Sequence, residues 1–369
     1  MPKANQTILE LNLNALEHNY NHLRSRLEPT TKFLGVVKAF AYGSDAVKIS
    51  LKLQSIGVDY FAVAYASEGV VLRDAGIKLP ILVLHPQAAN FDVLLKHRLE
   101  PSLYSTKILN EFLKLVQNEG LKDYPVHIKF NTGLNRLGFG ENEVDTVLEV
   151  LENSREIKMV SIFSHLAASE DLNEKVFTLQ QIDTFKRIAT AMENKLGRVV
   201  FKHILNTSGI INYPKAQFDM VRSGIGLYGF GNDTEIDKQL KPVATLKTAI
   251  SQIHRILPEE SVGYNRAYIS SNERFTATLP LGHADGIGRQ YGNGKAFVSV
   301  NGKKAPIIGN VCMDMIMIDI TGLNCEEGDE VVIFGEDPTA DEMATGAKTI
   351  SYELLTGISQ RVKRVCIDH

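Results

Sequence analysis

Between about Lys32 and Phe230 the chain repeats one pattern, a short apolar run followed by a longer amphipathic one. The apolar runs fall at 33–37, 60–64, 81–84, 101–103, 126–130, 160–163, 199–204 and 218–221, eight in all. Runs this short and this rich in β-branched residues read as buried strands. Helical patterns at 45–55, 67–75, 105–119 and 174–196 fall between them. Strand, helix, strand at this rhythm implies parallel βαβ units, and eight units suggest a closed (β/α)8 barrel. An open doubly wound sheet is the alternative. No Gly-x-Gly-x-x-Gly follows the first run, so the dinucleotide-binding version of that sheet loses its main support.

The texture changes beyond the polar stretch Gly231-Asn-Asp-Thr-Glu-Ile-Asp-Lys238. Strand-like runs at 243–256, 275–279, 296–300, 305–308, 315–320 and 330–334 follow, with few helical patterns. Asn301-Gly302, between two of them, reads as a type I′ hairpin turn. The expectation is an α/β chain: a (β/α)8 TIM-like barrel over residues 1–235, then a mainly β domain over 236–369. The alternating residues 6–13 are a candidate strand of that second domain. Positions 338–343 read as a surface loop.

Composition narrows the function. Of 369 residues 44% are hydrophobic and 22% charged, the balance of a globular protein with a large core. A net charge of -3 without a basic block argues against a nucleic-acid partner. No apolar run is long enough to span a bilayer, and the first residues lack an apolar signal core. Cys312, Cys325 and Cys366, odd in number and widely spaced, suggest neither a disulfide framework nor a metal site and fit a cytoplasmic protein.

The chemistry begins at Lys38, in Phe33-Leu-Gly-Val-Val-Lys38-Ala-Phe-Ala-Tyr42-Gly43. A lysine closing a barrel strand stands at the end where such folds carry their active sites. Desolvated there, its amine can lose its proton and form a Schiff base with an aldehyde cofactor. Taken alone, a solvated lysine at a strand end is the commoner case.

The wider context resembles the alanine racemases, which bind pyridoxal 5′-phosphate (PLP). Beyond the lysine segment, Lys129-Phe-Asn-Thr-Gly-Leu-Asn-Arg136-Leu-Gly-Phe139, Phe163-Ser-His165, His203-Ile-Leu-Asn206-Thr207 and Met220-Val-Arg222-Ser-Gly224-Ile225 resemble blocks of that family. Val262-Gly-Tyr264, Gly282-His-Ala-Asp-Gly286, Val311-Cys-Met313-Asp314 and Ser351-Tyr352 follow in family order. Each block is weak evidence, but so many in order over nearly the whole chain are specific.

The resemblance implies that Lys38 holds PLP and acts as one acid/base, with Tyr264 as the other on the opposite face of the substrate. Exchange of a proton at Cα needs both groups to work well below their ordinary pKa. It places Arg222 against the pyridine nitrogen, where a guanidinium donates a hydrogen bond and supplies no proton. His165 would sit beside it, in line with Tyr264. Asn206, Thr207, Gly224, Ile225, Tyr42 and Tyr352 would hold the phosphate, Arg136 and Met313 the substrate carboxylate, and Cys312, Asp314 and His283 would line the site. Lys129 matches a lysine carbamylated in some members. No metal is implied. Because Tyr264 and Met313 of one chain complete the site around Lys38 of another, a homodimer acting on L- and D-alanine is expected, supplying D-alanine for peptidoglycan.

Some positions depart from the family pattern. Phe40 stands in place of asparagine, Ser44 of histidine, His283 of tyrosine and Thr207 of serine, while Asn265 and Arg266 are unusual beside the tyrosine. None removes a catalytic group, but they bear on the entrance and so on strictness for alanine. A broad-specificity amino-acid racemase therefore stays open. Arg222 speaks against a decarboxylase, and the second domain against a non-catalytic PLP-binding protein.

Overall fold

The computed structural model describes residues 6–367; positions 1–5 and 368–369, at the outer ends of the two expected domains, lie outside it. The strands in chain order are β1 (Ile8–Asn12), β2 (Lys32–Val36), β3 (Tyr60–Val63), β4 (Ile81–Val83), β5 (Glu100–Leu103), β6 (Tyr124–Lys129), β7 (Ile157–Phe163), β8 (Lys202–His203) and β9 (Met220–Ser223). They continue as β10 (Ala244–Ala249), β11 (Gln252–Ile256), β12 (Ser261–Val262), β13 (Tyr268–Ile269) and β14 (Arg274–Leu279). The last are β15 (Phe297–Val300), β16 (Lys303–Ile308), β17 (Ile316–Asp319), β18 (Glu330–Phe334) and β19 (Lys363–Ile367).

Strands β2 to β9 form a parallel sheet in the order β8-β7-β6-β5-β4-β3-β2-β9. Its two ends meet: Asp219 N donates to Lys202 O at 3.1 Å and Arg222 N to Leu205 O at 3.0 Å. This is the expected barrel. Every residue of β3, β4 and β5 is buried, as parallel strands covered by helices require. The helices begin where the sequence signals it. Ser105 caps Thr106–Asn118 and Asp45 caps Ala46–Ser55, each side chain accepting an otherwise unpaired backbone N–H. Gly197, at φ 64°, ends Lys175–Leu196 in the left-handed conformation that glycine adopts without steric cost.

The second sheet has nine strands in the order β11-β14-β17-β16-β15-β18-β10-β1-β19. The run read as one strand at 243–256 is two, because the chain turns after Ala249 and the halves pair with different partners. Asn301 and Gly302, with φ of 49° and 74°, make the two-residue β15–β16 turn. β1 lies inside this sheet, antiparallel to β10 and parallel to β19. The 338–343 region is a second correction. It enters the helix Ala340–Gly346, started by a capping box in which Thr339 and Glu342 satisfy each other's backbone N–H.

Leu9 and Leu11 of β1 are both essentially inaccessible. Leu11→Ala should therefore lower unfolding free energy by about 2–5 kcal/mol, the range for truncating a buried leucine, as read by urea denaturation. An unchanged midpoint would show that β1 is not an integral strand.

Candidate functional site

The C-terminal ends of the barrel strands open into a cavity of about 640 Å³. Lys38, Tyr42, Lys129, Arg136, His165, Asn206, Thr207, Arg222, Gly224, Ile225 and Tyr352 all line it, brought together from across the barrel and the C-terminal helix Ser351–Gly357. No aspartate or glutamate is among the lining residues, so four cations face one another in a partly dry space. Burial and the charge of Arg136 lower the Lys38 amine, partly offset by Glu68. Burial, Arg136, Arg222 and Lys38 bring Lys129 down to about 8. Arg222 is lowered to about 9 by burial alone and stays charged at neutral pH.

Arg222 is held by neutral acceptors. Nη1 meets His203 Nδ1 at 2.7 Å, while Nη2 donates to the carbonyls of Ser164 (2.7 Å) and Ile204 (3.1 Å) and to His165 Nδ1 (3.2 Å). The nitrogen left without an acceptor among the described residues is Nε. Burial and the cations around it push His165 well below its usual pKa, so it is a neutral ring accepting on Nδ1 and carrying its proton on Nε2.

Immediately after Lys38 the backbone makes a left-handed helical turn. Ala39, Phe40, Ala41 and Tyr42 all have φ of 53–55° with ψ between 39° and 59°. For L-residues this conformation costs about 1–2 kcal/mol each, so the surroundings must enforce it. Glu68 accepts the Ala39 N–H at 2.6 Å, and its other oxygen accepts from Ala64 N. Arg364 donates to Gly43 O at 2.8 Å and binds the carbonyls of Ile358, Ser359 and Val362. Gly43 itself, at φ 78°, lies so close to the Leu355 carbonyl that a Cβ would meet it at 2.0 Å. Glu68 and Arg364 were not apparent as site residues in the sequence. Glu68 carries a local signal, as the acidic residue in the first turn of the helix Ala66–Asp74. Arg364 carries none, since its contact with Gly43 spans 321 residues.

The remaining expected residues stand elsewhere in the chain. Tyr264 is 73% exposed on a short 3-10 turn after Gly263, and Met313 is 59% exposed. Cys312, Asp314 and His283 lie near Met313: the Cys312 and Met313 carbonyls accept from His283 N and Ala284 N at 3.0 Å. Arg361 grips Asp285 with two nitrogens and Asp314 with one. None of these five lines the cavity of its own chain.

The family model described as Alanine racemase, N-terminal domain matches residues 11–231, and that described as Alanine racemase, C-terminal domain matches residues 243–366. The chain belongs to the alanine racemase family. Alanine racemase 1 of Clostridium acetobutylicum is 38% identical over 369 residues, covering 97% of this chain and 94% of that protein. Among solved structures, alanine racemase of Clostridium difficile 630 superposes with a TM-score of 0.91 at 32% identity, covering 99% of this chain and 96% of that one. Alanine racemase from Bartonella henselae with covalently bound pyridoxal phosphate gives 0.89 at 29% identity, with 98% and 99% covered.

The family's cofactor fits the cavity on the chain's own features. An amine of lowered pKa suits an aldehyde, and the unengaged Nε of a buried guanidinium suits a ring nitrogen. At Gly224 a Cβ would meet Tyr42 Oη at 2.1 Å, so the backbone is left bare beside a phenol and the Thr207 hydroxyl where an anion can be cradled. The Asn206 side-chain oxygen caps Thr207–Asn212, accepting from Gly209 N, and Asn206 also lines the cavity. If Arg364 holds the turn, Arg364→Lys should speed amide hydrogen exchange at Ala41, whose N–H bonds to Val37 O, before global unfolding. Unchanged exchange from Ala39 to Gly43 would assign that task to Gly43 packing alone.

Proposed function

We propose that this protein is a PLP-dependent alanine racemase that interconverts L- and D-alanine by two bases on opposite faces of Cα. The observation that carries the proposal is the division of labour: Lys38 is buried in the barrel cavity, while Tyr264 stands exposed on the second domain of the same chain. A phenol so exposed, on a turn following a glycine at φ 76°, is suited to enter a neighbouring molecule. We therefore read the working form as a homodimer in which Tyr264 and Met313 complete the partner's cavity. The chain divides near residue 235. Among the described residues no helix is long and apolar enough to cross a membrane, and a cytoplasmic enzyme supplying D-alanine for peptidoglycan is the setting we propose.

When bound, the cofactor draws electron density from the substrate's Cα, so that its proton can be removed. The residues do the rest. Lys38, its amine eased toward the neutral form by burial and Arg136, exchanges the proton on one face. Tyr264 of the second chain exchanges it on the other, with His165 and Arg222 behind it as a hydrogen-bonded pair. Arg222 offers the ring nitrogen a donor and retains its proton, which favours return of the proton to Cα over its delivery elsewhere. Arg136 and the backbone of Met313 meet the substrate carboxylate. Thr207, Tyr42, Tyr352 and the amides of Gly224 and Ile225 receive the phosphate. Phe40, 58% exposed in the strained turn, and the exposed His283 stand where the entrance would be shaped. The substrate panel should therefore include serine and lysine beside alanine.

Complementation tests the proposal. Lys38→Ala and Tyr264→Phe homodimers should each lose most racemase activity, about 10²–10⁴-fold for a positioned acid/base. Mixed and allowed to exchange subunits, they should regain activity approaching roughly a quarter of the sites, because one site of each mixed dimer carries neither lesion. Active parents, or no recovery despite proven exchange, would refute the shared two-base site.

Lys129 gives a prediction of pH dependence. Only a neutral amine captures carbon dioxide, and the neutral fraction of Lys129 grows as pH rises through about 8. A carbamate there would place an anion among the cations. In ¹³C-bicarbonate, a carbamate resonance should appear toward alkaline pH, vanish on acidification and be absent from Lys129→Ala. A resonance that persists in that variant would assign the modification elsewhere.

A further inference from the structure

Glu100, the first residue of β5, is a buried carboxylate that the chemistry above does not use. Its Oε2 lies 2.8 Å from the Tyr60 hydroxyl and 2.8 Å from His127 Nε2. From there contacts run without a break to the cavity. His127 Nδ1 is 2.6 Å from Ser161 Oγ, Ser161 Oγ is 2.9 Å from His203 Nε2, and His203 Nδ1 is 2.7 Å from Arg222 Nη1. Each link crosses to the next strand, from β5 through β6, β7 and β8 to β9. His127, Ser161 and His203 are wholly inaccessible to solvent.

The proton positions follow from what each group can do. A guanidinium only donates, so His203 Nδ1 accepts. Burial and the charge of Arg222 keep His203 neutral, so its single proton sits on Nε2 and is donated to Ser161. Among the described residues the only other group within reach of Ser161 Oγ is His127, and its own proton therefore goes to His127 Nδ1. His127 then carries its proton on Nε2 and donates to Glu100. The carboxylate, which accepts and cannot donate, ends the series.

We infer that Glu100 is a positioning residue for Arg222. By accepting only, it holds the β5 end of the series in the one direction that the guanidinium demands at the β9 end, so that His203 presents a bare nitrogen to Nη1 without conflict and the guanidinium keeps Nε free. In the reversed series His203 would carry its proton on Nδ1, two donors would face each other at 2.7 Å, and the guanidinium would be driven off. The inference rests on the racemase reading only for its catalytic consequence, since the order of protons belongs to the protein alone.

The test begins with ¹⁵N spectra of histidine-labelled, PLP-free protein. Wild type should show both His127 and His203 protonated on Nε2. In Glu100→Gln the amide can also turn its nitrogen to His127, which reverses the series at the expense of the His203–Arg222 contact, so both rings should show a second tautomer beside the wild-type one. In the PLP-loaded variant, kcat for alanine should fall about tenfold, the weight of one net hydrogen bond, with KM unchanged because the carboxylate contacts are untouched. Should Glu100→Gln not fold, Ser161→Ala cuts the series beside His203. It should alter the His203 tautomer and lower kcat while leaving His127 protonated on Nε2. A wild-type His203 protonated on Nδ1, tautomers unmoved by the substitution, or an unchanged kcat would each overturn the inference. Wild-type protein with the assigned tautomers and no racemase activity would count against the racemase reading, and the order of protons would stand.

Discussion

Four positive side chains, Lys38, Lys129, Arg136 and Arg222, share one cavity with no acidic residue on its walls. Most features of the site follow from that constraint. Burial and mutual repulsion lower both lysines, which eases them toward the neutral form that a nucleophile or base requires. The same field attracts a phosphate and a carboxylate, the two anionic ends that a cofactor-bound amino acid would present. Arg222 remains charged because dipoles replace a counter-ion: two imidazole nitrogens and two carbonyls share its donors. A carboxylate in contact would have been a stronger partner, but it would also have cancelled the field on which the lysines depend.

Much of this was legible in the sequence. All eight barrel strands lie within a few residues of their apolar runs, because parallel strands are buried on both faces and announce themselves as continuous hydrophobic stretches. The least accurate run was 199–204, where the regular pairing shrinks to Lys202–His203. The barrel residues of the cavity were found through local motifs, and the structure brings them together. What stayed hidden was non-local. β19, short and only partly buried, has no strong alternation. Arg364 and Glu100 are ordinary charged residues in sequence, and their significance comes from partners on other elements. The helix Ala340–Gly346 does carry a local signal, since Thr339 and Glu342 stand at capping-box spacing, but the proline before them is equally a loop signal.

The turn after Lys38 shows why the two sheets cannot be treated as separable parts. Four left-handed residues in succession are unfavourable, and the groups that hold them come from both regions. Glu68 belongs to the barrel, whereas Leu355 and Arg364 belong to the C-terminal segment. The amine that would carry the chemistry is thus oriented by residues synthesised more than 300 positions later.

The placement of β1 carries that dependence into synthesis. It emerges from the ribosome early, yet its neighbours are β10 and β19, one made after the whole barrel and the other at the far end of the sheet's sequence. A nascent chain that has completed its barrel still trails an apolar strand with both edges unpaired, a template for pairing with other chains. Both edges of β1 are therefore covered only once β19 has been made, and a shortened chain lacking β19 would carry an open strand edge.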